Sequence, residues 1–434
     1  MKKVLLVLAT YLIHYQAGGQ TYTSYFTGDT ADVSPIPKGG ICLMGGSVEN
    51  DAAMKWFLRQ ASGGDILVIR ASGSNRYNTY MFTDLGETVN SVESIVTTSE
   101  TAANEAYIVR RIKEAEGIWI AGGDQANYVN FWKSGPVKDA INFAVNQRKA
   151  VVGGTSAGMA VLGGAYFAAL NGTVTSEDAL ANPYNSRVSL GLHDFLNVPI
   201  LRGILTDTHF DNPDRKGRLV VFLARLLRDF NLKPRAIACE ERVALTIDTA
   251  GMAQAFCSRT PKYAYFAQLG CAANQLPETL ADNTPLTWNR GGEALKVMAL
   301  LATAEGSPRF NLKKWRLETA GSGGTWQNWT AQNGVFQSAT TTEPTCSPTT
   351  GAADTRFENV KIFPNPVGDV LQIKNAFAHS TIEIRDISGK LWLNKKTQTI
   401  DSQLSMLNLP PAVYVVILTT ESGESASFRI VKVL

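Results

Sequence analysis

The sequence predicts an α/β protein built on a mostly parallel sheet covered on both faces, followed by a smaller all-β unit. Three observations carry that expectation. Short apolar runs alternate with amphipathic stretches of helical period over most of the chain. The runs are apolar throughout, as strands buried on both faces are. From Ser338 onward the composition shifts and the helical pattern disappears.

The elements follow in chain order. "GGICLMGG" and "DILVIRAS" read as short buried strands, "TAANEAYIVRRIKEAE" as one helix with apolar residues three and four apart, and "GIWIAGGD" as a further strand. "PVKDAINFAVNQR" reads as helix, "KAVVGGTS" as strand and turn, and "GRLVVFLARLLRDF" as a long amphipathic helix. "SATTTEPTCSPTTGAADTR" is rich in Thr, Ser, Pro and Ala with almost no large apolar residue, the composition of a linker. Beyond it, alternating strands punctuated by Pro, Asn and Gly predict a β-sandwich of about 75 residues.

The start, "MKKVLLVLATYLIHYQAGGQ", joins two lysines to an apolar run and then to small residues at Ala17 and Gly19. That is the pattern of a secretory signal peptide, and the run is about half the roughly 20 residues a membrane span needs. The expected organisation is a signal peptide over 1–19, an α/β domain over 20–337, a linker over 338–356 and a β-sandwich over 357–434. A chain of 434 residues with 44% hydrophobic residues has room for more than one core, and a net charge of +3 gives no reason to expect nucleic acid as a partner. Five cysteines without metal-site spacing allow at most two disulfides; Cys257 and Cys271 are the closest candidate pair, with reduced thiols the alternative.

The chemistry centres on "KAVVGGTSAGMAVLGG". Here Ser156 lies between a strand end and a helix start, flanked by glycines in the pattern of a nucleophile elbow. Gly153 and Gly154 are expected to make the sharp turn, and the helix beginning at Ala157 to offer N–H groups and a positive dipole end to an oxyanion. A serine nucleophile needs a base. Of four histidines, His14 lies in the signal peptide and His379 in the C-terminal unit, leaving His193 and His209. His209 follows the apolar "ILT", at the carboxyl edge of a strand, where open α/β sheets bind ligands. His193 has Asp194 beside it in a loop-like stretch. Glu240 or Glu241 in "PRAIACEERVAL" would orient the imidazole. In "GIWIAGGDQANY", Gly122 and Gly123 end a strand and offer an unhindered backbone N–H, while Asp124 is equally suited to cap a helix.

Taken in order, "IAGGDQ", "GGTSAGMAVLGG", "DTHF" followed by "GRLVVFLAR", and "CEERVAL" resemble the serine exopeptidase family that contains cyanophycinase and aspartyl dipeptidase. The resemblance covers roughly residues 39–297, including "PLTWNRGGEALKV". It implies a flavodoxin-like three-layer sandwich of the class I glutamine amidotransferase type, with a Ser-His-Glu triad in place of Cys-His-Glu. Carried over residue by residue, it assigns the nucleophile to Ser156, the base to His209 and the orienting acid to Glu241. Gly123 and Ala157 would supply the oxyanion N–H groups, and Gln125, Asp207, Thr208, Arg215 and Arg218 fall in the substrate pocket. The reaction it implies needs no metal and no cofactor. Two positions depart from the cyanophycinase pattern: Thr208 stands where a glutamine is usual, and Pro213 where the first pocket arginine would be. Arg215 and Arg218, three apart, would share a helix face and hold an anion beside His209.

The tail strands "IFPNPVGDVLQI", "IEIRDISGK", "LPPAVYVVIL" and "RIVKVL" resemble the C-terminal sorting domain of the type IX secretion system. Sequence therefore points to a secreted or cell-surface serine exopeptidase or dipeptidase. Its expected partners are a small peptide substrate and, through the tail, the type IX machinery. A non-catalytic binding or surface protein that kept the fold and a true cyanophycinase are the other readings.

Overall fold

The computed structural model describes residues 21–259, 261–272, 274–319, 323–344, 357, 360–386, 389–420 and 425–433. The expected signal peptide and most of the expected linker lie outside the described residues. Two mixed sheets, rather than one parallel sheet, build the α/β unit.

The first sheet runs in the order Thr23–Gly28, Ser91–Val96, Asp65–Arg70, Gly117–Ile120, Val151–Thr155, Ile41–Met44, Ala244–Ile247, Met252–Phe256, Arg309–Asn311, Arg316–Leu317. Its five strands from Ser91–Val96 to Ile41–Met44 are mutually parallel. In chain order they lie third, second, fourth, fifth, first, which differs from the 2-1-3-4-5 order of a flavodoxin sheet. The remaining strands add antiparallel: Ala244–Ile247 with Met252–Phe256 and Arg309–Asn311 with Arg316–Leu317 are hairpins with short connections, while the other antiparallel pairs join segments remote in sequence.

The second sheet runs Val335–Thr341, Gly324–Gln332, Leu295–Leu301, Tyr263–Leu269, Arg235–Cys239, Ile204–Asp207, Ala165–Phe167, Leu190–Leu192. In it Ile204–Asp207 and Arg235–Cys239 are parallel neighbours. The edge strand reaches Thr341, so the first four residues of the expected linker are paired sheet: Ser338 lies opposite Trp329 and Thr341 opposite Trp326.

Apolar spacing explains the layers. One core joins Leu43, Ile69, Ile120 and Val152 of the first sheet to Ile237, Phe266 and Leu300 of the second, with helices Ala106–Glu114, Gln125–Trp132 and Pro136–Phe143 around it. Helix Asp51–Gln60 covers the opposite face of the first sheet through Met54, Phe57 and Leu58. Helix Lys216–Phe230 packs Leu219, Phe222, Leu223 and Leu226 on the far face of the second. Each such fully buried side chain stabilises the fold by roughly 1.5–3 kcal/mol. The stretch read as one helix near residue 105 is two: Glu100–Ala103, capped by the Ser99 hydroxyl, and Ala106–Glu114.

Cys42, Cys239 and Cys257 are free and buried. Cys271 is disulfide-bonded, so the pairing of Cys257 with Cys271 is not the one formed. Adjacency along the chain is a poor guide when Cys257 is turned into the core. The C-terminal unit holds a three-stranded sheet (Lys361–Phe363, Val370–Lys374, Ser402–Ser405) and a four-stranded sheet (Leu391–Lys396, Thr381–Asp386, Ala412–Thr419, Ser425–Lys432). Leu371, Ile373, Ile382, Ile384, Val416 and Leu418 form their shared core.

Candidate active site

Three adjacent parallel strands of the first sheet, Gly117–Ile120, Val151–Thr155 and Ile41–Met44, end side by side. From their carboxyl ends the chain leaves through Gly122 and Gly123, through Ser156, and through Gly45 and Gly46. The elbow therefore sits on the middle strand with a pair of glycines on either side.

The turn is made by the serine itself. Ser156 has φ 52° and ψ −118°, left-handed backbone that costs a non-glycine residue about 1–3 kcal/mol. Its N–H donates to the Met44 carbonyl (3.0 Å) and its carbonyl accepts from Ala160 (2.9 Å), which hold the strained turn in place. Gly153 and Gly154, expected in the turn, are instead inside the strand. They serve close approach: a Cβ on Gly154 would lie 2.6 Å from the Gly158 carbonyl carbon, and one on Gly158 2.0 Å from the Ile120 carbonyl oxygen. The helix after the serine, Ala157–Ala160, is a single turn, so its macrodipole is much smaller than expected. What remains for an oxyanion is N–H groups. Those of Gly123 and Ala157 have no protein acceptor among the described residues, and Gly122 packs beside the Ser156 side chain.

His209 and Glu241 arrive from the second sheet. They follow the carboxyl ends of its parallel neighbours Ile204–Asp207 and Arg235–Cys239. The Ser156 hydroxyl and His209 Nε2 are 2.8 Å apart, and His209 Nδ1 and Glu241 Oε1 2.7 Å. Both the imidazole and the carboxylate are about one-quarter exposed (24% and 22%), so the relay opens to solvent on one side. The choice between the two glutamates falls on Glu241. Glu240 is buried, accepting from the Tyr265 hydroxyl (2.8 Å) and the Tyr263 N–H (3.1 Å), and burial raises its carboxyl above the ordinary range. His193 is exposed elsewhere, its carbonyl accepting from Arg429 (3.4 Å).

Sequence reading missed what seats the imidazole. The Gly45 carbonyl accepts the His209 N–H at 2.7 Å, and the Gly46 carbonyl accepts the Arg242 N–H at 2.9 Å. Gly46, at φ +103°, lies against the imidazole, where an added Cβ would stand 2.4 Å from Nε2. The signal was present as the glycine pair closing "GGICLMGG", read only as the end of a strand.

The pocket residues divide. Arg218 and Asp207, both expected in the substrate pocket, form a bidentate ion pair with both side chains only 2% exposed, so each is held by the other. The guanidinium also lies over Phe167. Helix Lys216–Phe230 starts after Arg215, and its inward face carries Arg218 into the core. Thr208 is buried, its N–H held by Asp207 (2.8 Å) and its carbonyl by Arg215 Nη1 (3.0 Å). Arg215 is partly exposed and has no carboxylate partner among the described residues; burial, then the nearby Arg218, pull its guanidinium down to about 10. Gln125 is partly exposed at the start of its helix, Nε2 3.5 Å from the Phe167 carbonyl. Asp124 caps that helix through the Ala126 N–H (3.0 Å). Among the described residues no cluster of His, Cys, Asp or Glu is arranged to hold a metal ion.

A hydroxyl at a strained strand end, hydrogen-bonded to an imidazole that is in turn hydrogen-bonded to a carboxylate, is the arrangement serine hydrolases use. Residues 42–254 match the family described as Peptidase family S51, and residues 361–432 the Secretion system C-terminal sorting domain. The chain thus contains one region similar to S51 peptidases and a second that matches the sorting domain, and the latter indicates type IX secretion to the cell surface or extracellular space. Cyanophycinases of Synechococcus elongatus and Thermosynechococcus vestitus are each 28% identical to it over 193 residues, 42% of this chain. The chain spans 56% of the length of these relatives. Among solved structures, a peptidase from an acI-B1 Actinobacterium aligns over 53% of this chain and 91% of its own, at 15% identity and a TM-score of 0.39. A putative peptidase E from Listeria monocytogenes aligns over 51% and 99%, at 14% identity and a TM-score of 0.33.

Proposed function

We propose that the chain is an exported serine peptidase that hydrolyses short aspartyl or isoaspartyl peptides through a Ser156-His209-Glu241 triad. The observation that carries this reading is the continuous hydrogen-bonded relay from the Ser156 hydroxyl through both nitrogens of His209 to Glu241. His209 Nε2 takes the hydroxyl proton as Ser156 Oγ adds to the scissile carbonyl, while Glu241 accepts the Nδ1–H and stabilises the imidazolium. The N–H groups of Gly123 and Ala157 hold the oxyanion. When the tetrahedral adduct collapses, the C–N bond breaks and His209 returns its proton to the leaving amine. Water, deprotonated by the same imidazole, then attacks the ester and releases the acid and free Ser156.

Arg215 supports the substrate class. A partly exposed guanidinium without a carboxylate partner, tethered to the loop that carries His209, suits a substrate carboxylate near the scissile bond. The relatives named cyanophycinase favour a second reading, cleavage of cyanophycin, a polyaspartate with β-linked arginines. Against it stand Thr208 and Pro213 in place of two polar pocket residues.

The test has two arms. A fluorophosphonate is expected to label wild type at Ser156 and to leave Ser156→Ala and His209→Ala unlabelled, with His193→Ala reacting as wild type. Purified protein is then offered α- and β-linked aspartyl dipeptides and cyanophycin. Wild-type labelling of His193→Ala and His209→Ala alike refutes the triad, and granule degradation without dipeptide cleavage moves the substrate to cyanophycin.

A further inference from the structure

The loop that carries the base and the loop that carries the acid come from different strands, and a pair of side chains outside the relay ties them together. Asp211, two residues after His209, accepts the Glu241 N–H through Oδ1 at 2.8 Å. Its other oxygen, Oδ2, takes the ammonium of Lys262 in a salt bridge. Lys262 immediately precedes strand Tyr263–Leu269, which pairs antiparallel with Arg235–Cys239, the strand leading into Glu241. The neighbouring carboxylate closes the frame from the other side, since Glu240 accepts from Tyr263 N–H and the Tyr265 hydroxyl on that same strand.

We propose that Asp211 is a positioning residue for the triad: resting on the reading above, it fixes the Glu241 backbone relative to the His209 loop, with Lys262 holding the Asp211 carboxylate in its rotamer. The geometry demands some such device. Arg242, directly after Glu241, is left-handed at φ 69°, and His209 is left-handed at φ 47°, so both partners of the 2.7 Å bond sit on turns that unstrained backbone does not favour. Fastening one turn to the other through a single carboxylate fixes their separation directly, where the backbone path between them runs 32 residues through helix Lys216–Phe230. The ammonium has a second effect. Glu240, Glu241 and Asp211 gather three carboxylates in one corner, and Lys262 offsets their mutual repulsion. Neither Asp211 nor Lys262 is hydrogen-bonded to Ser156 or His209, so their influence passes through Glu241.

A fluorophosphonate separates this role from substrate binding, because its reaction needs the triad and oxyanion groups but no peptide pocket. In the full chain, Asp211→Ala is expected to lower the maximal inactivation rate roughly tenfold to a hundredfold, the scale of loss from a misplacement of about 1 Å, at unchanged half-saturating inhibitor concentration. Asp211→Asn keeps an amide oxygen able to accept the Glu241 N–H and is expected to recover most of that rate. A merely structural role would not be rescued this way at equal fold content by circular dichroism. Wild-type inactivation by folded Asp211→Ala, or an Asn variant as slow as the Ala variant, overturns the proposal. If Asp211→Ala does not fold, Lys262→Met takes its place: a slower maximal rate at unchanged half-saturation supports the clamp, and a wild-type rate overturns it. Wild-type protein that fails to label at all refutes the triad itself, a distinguishable result that takes this inference with it.

Discussion

Gly46→Ala is the most demanding test of how the His209 imidazole is seated. At φ +103° an alanine pays a backbone penalty of about 1 kcal/mol before any contact is considered. Its Cβ would stand 2.4 Å from His209 Nε2 and 2.5 Å from Cε1, against the 3.4 Å or more of ordinary contact, so something must yield by about 1 Å. The backbone resists, because the Gly45 carbonyl holds the His209 N–H and the Gly46 carbonyl holds the Arg242 N–H. The ring then gives way, and it can do so only by stretching the 2.8 Å contact with Ser156 or the 2.7 Å contact with Glu241. A displacement of that size is expected to lower kcat/KM about a hundredfold, roughly 2.7 kcal/mol of transition-state stabilisation. The assay is turnover of the best dipeptide from the screen, with fluorophosphonate labelling and a thermal melt on the same preparations. Near-wild-type kcat/KM in a protein of unchanged melting temperature would refute the reasoning.

The two arginines that the family resemblance assigns to the pocket are expected to separate. Arg218→Met leaves Asp207 charged and buried, and is expected to cost about 3–5 kcal/mol in denaturant unfolding; Arg215→Met is expected to raise KM for acidic dipeptides at unchanged melting temperature, and equal stability losses would contradict the division. Glu116, buried at the amino-terminal ends of strands Asp65–Arg70 and Gly117–Ile120, accepts from the Asp65 N–H (2.9 Å) and from Arg148 (2.6 Å), yet burial raises its carboxyl from 4.5 to about 7. The folded chain thus keeps a proton the unfolded chain releases, so this group's contribution to stability falls as pH rises from about 4.5 to about 7 and is level above. Urea midpoints of wild type and Glu116→Gln are expected to converge toward low pH and separate across that window, and parallel profiles would exclude the effect. A chain shortened after Pro344 is expected to keep its activity but to lose export, whereas stopping near Phe336 removes most of the edge strand that pairs with Gly324–Gln332 and is expected to lower the melting temperature. Loss of activity in the longer truncation would make the tail's contacts, Ser427 to the Phe230 carbonyl and Arg429 to the His193 carbonyl, part of the working enzyme.

Legibility in the sequence followed the range of the interactions. The elbow could be read because strand, glycines and serine are contiguous, and the steric demand that places them is local. Scarcity made His209 readable: with four histidines in 434 residues, one lies at the carboxyl end of an apolar run followed by a helix. The capping of Gln125–Trp132 by Asp124 and the amphipathic helix Lys216–Phe230 were likewise written in consecutive residues.

Only the tertiary structure decided the rest. Glu240 and Glu241 are equivalent in composition, and the choice between them depends on which points toward Tyr263 and Tyr265 and which toward an imidazole 32 positions away. Arg218 looked available because helical spacing says which residues share a face, while the packing of helix Lys216–Phe230 on the second sheet says whether that face meets water. The split into two sheets, the glycine pair under the imidazole and the Asp211–Lys262 tie all arise where segments remote in sequence meet. Local sequence fixes backbone preference and periodicity, but the hydrogen bonds and close contacts between distant segments exist only once the chain has folded.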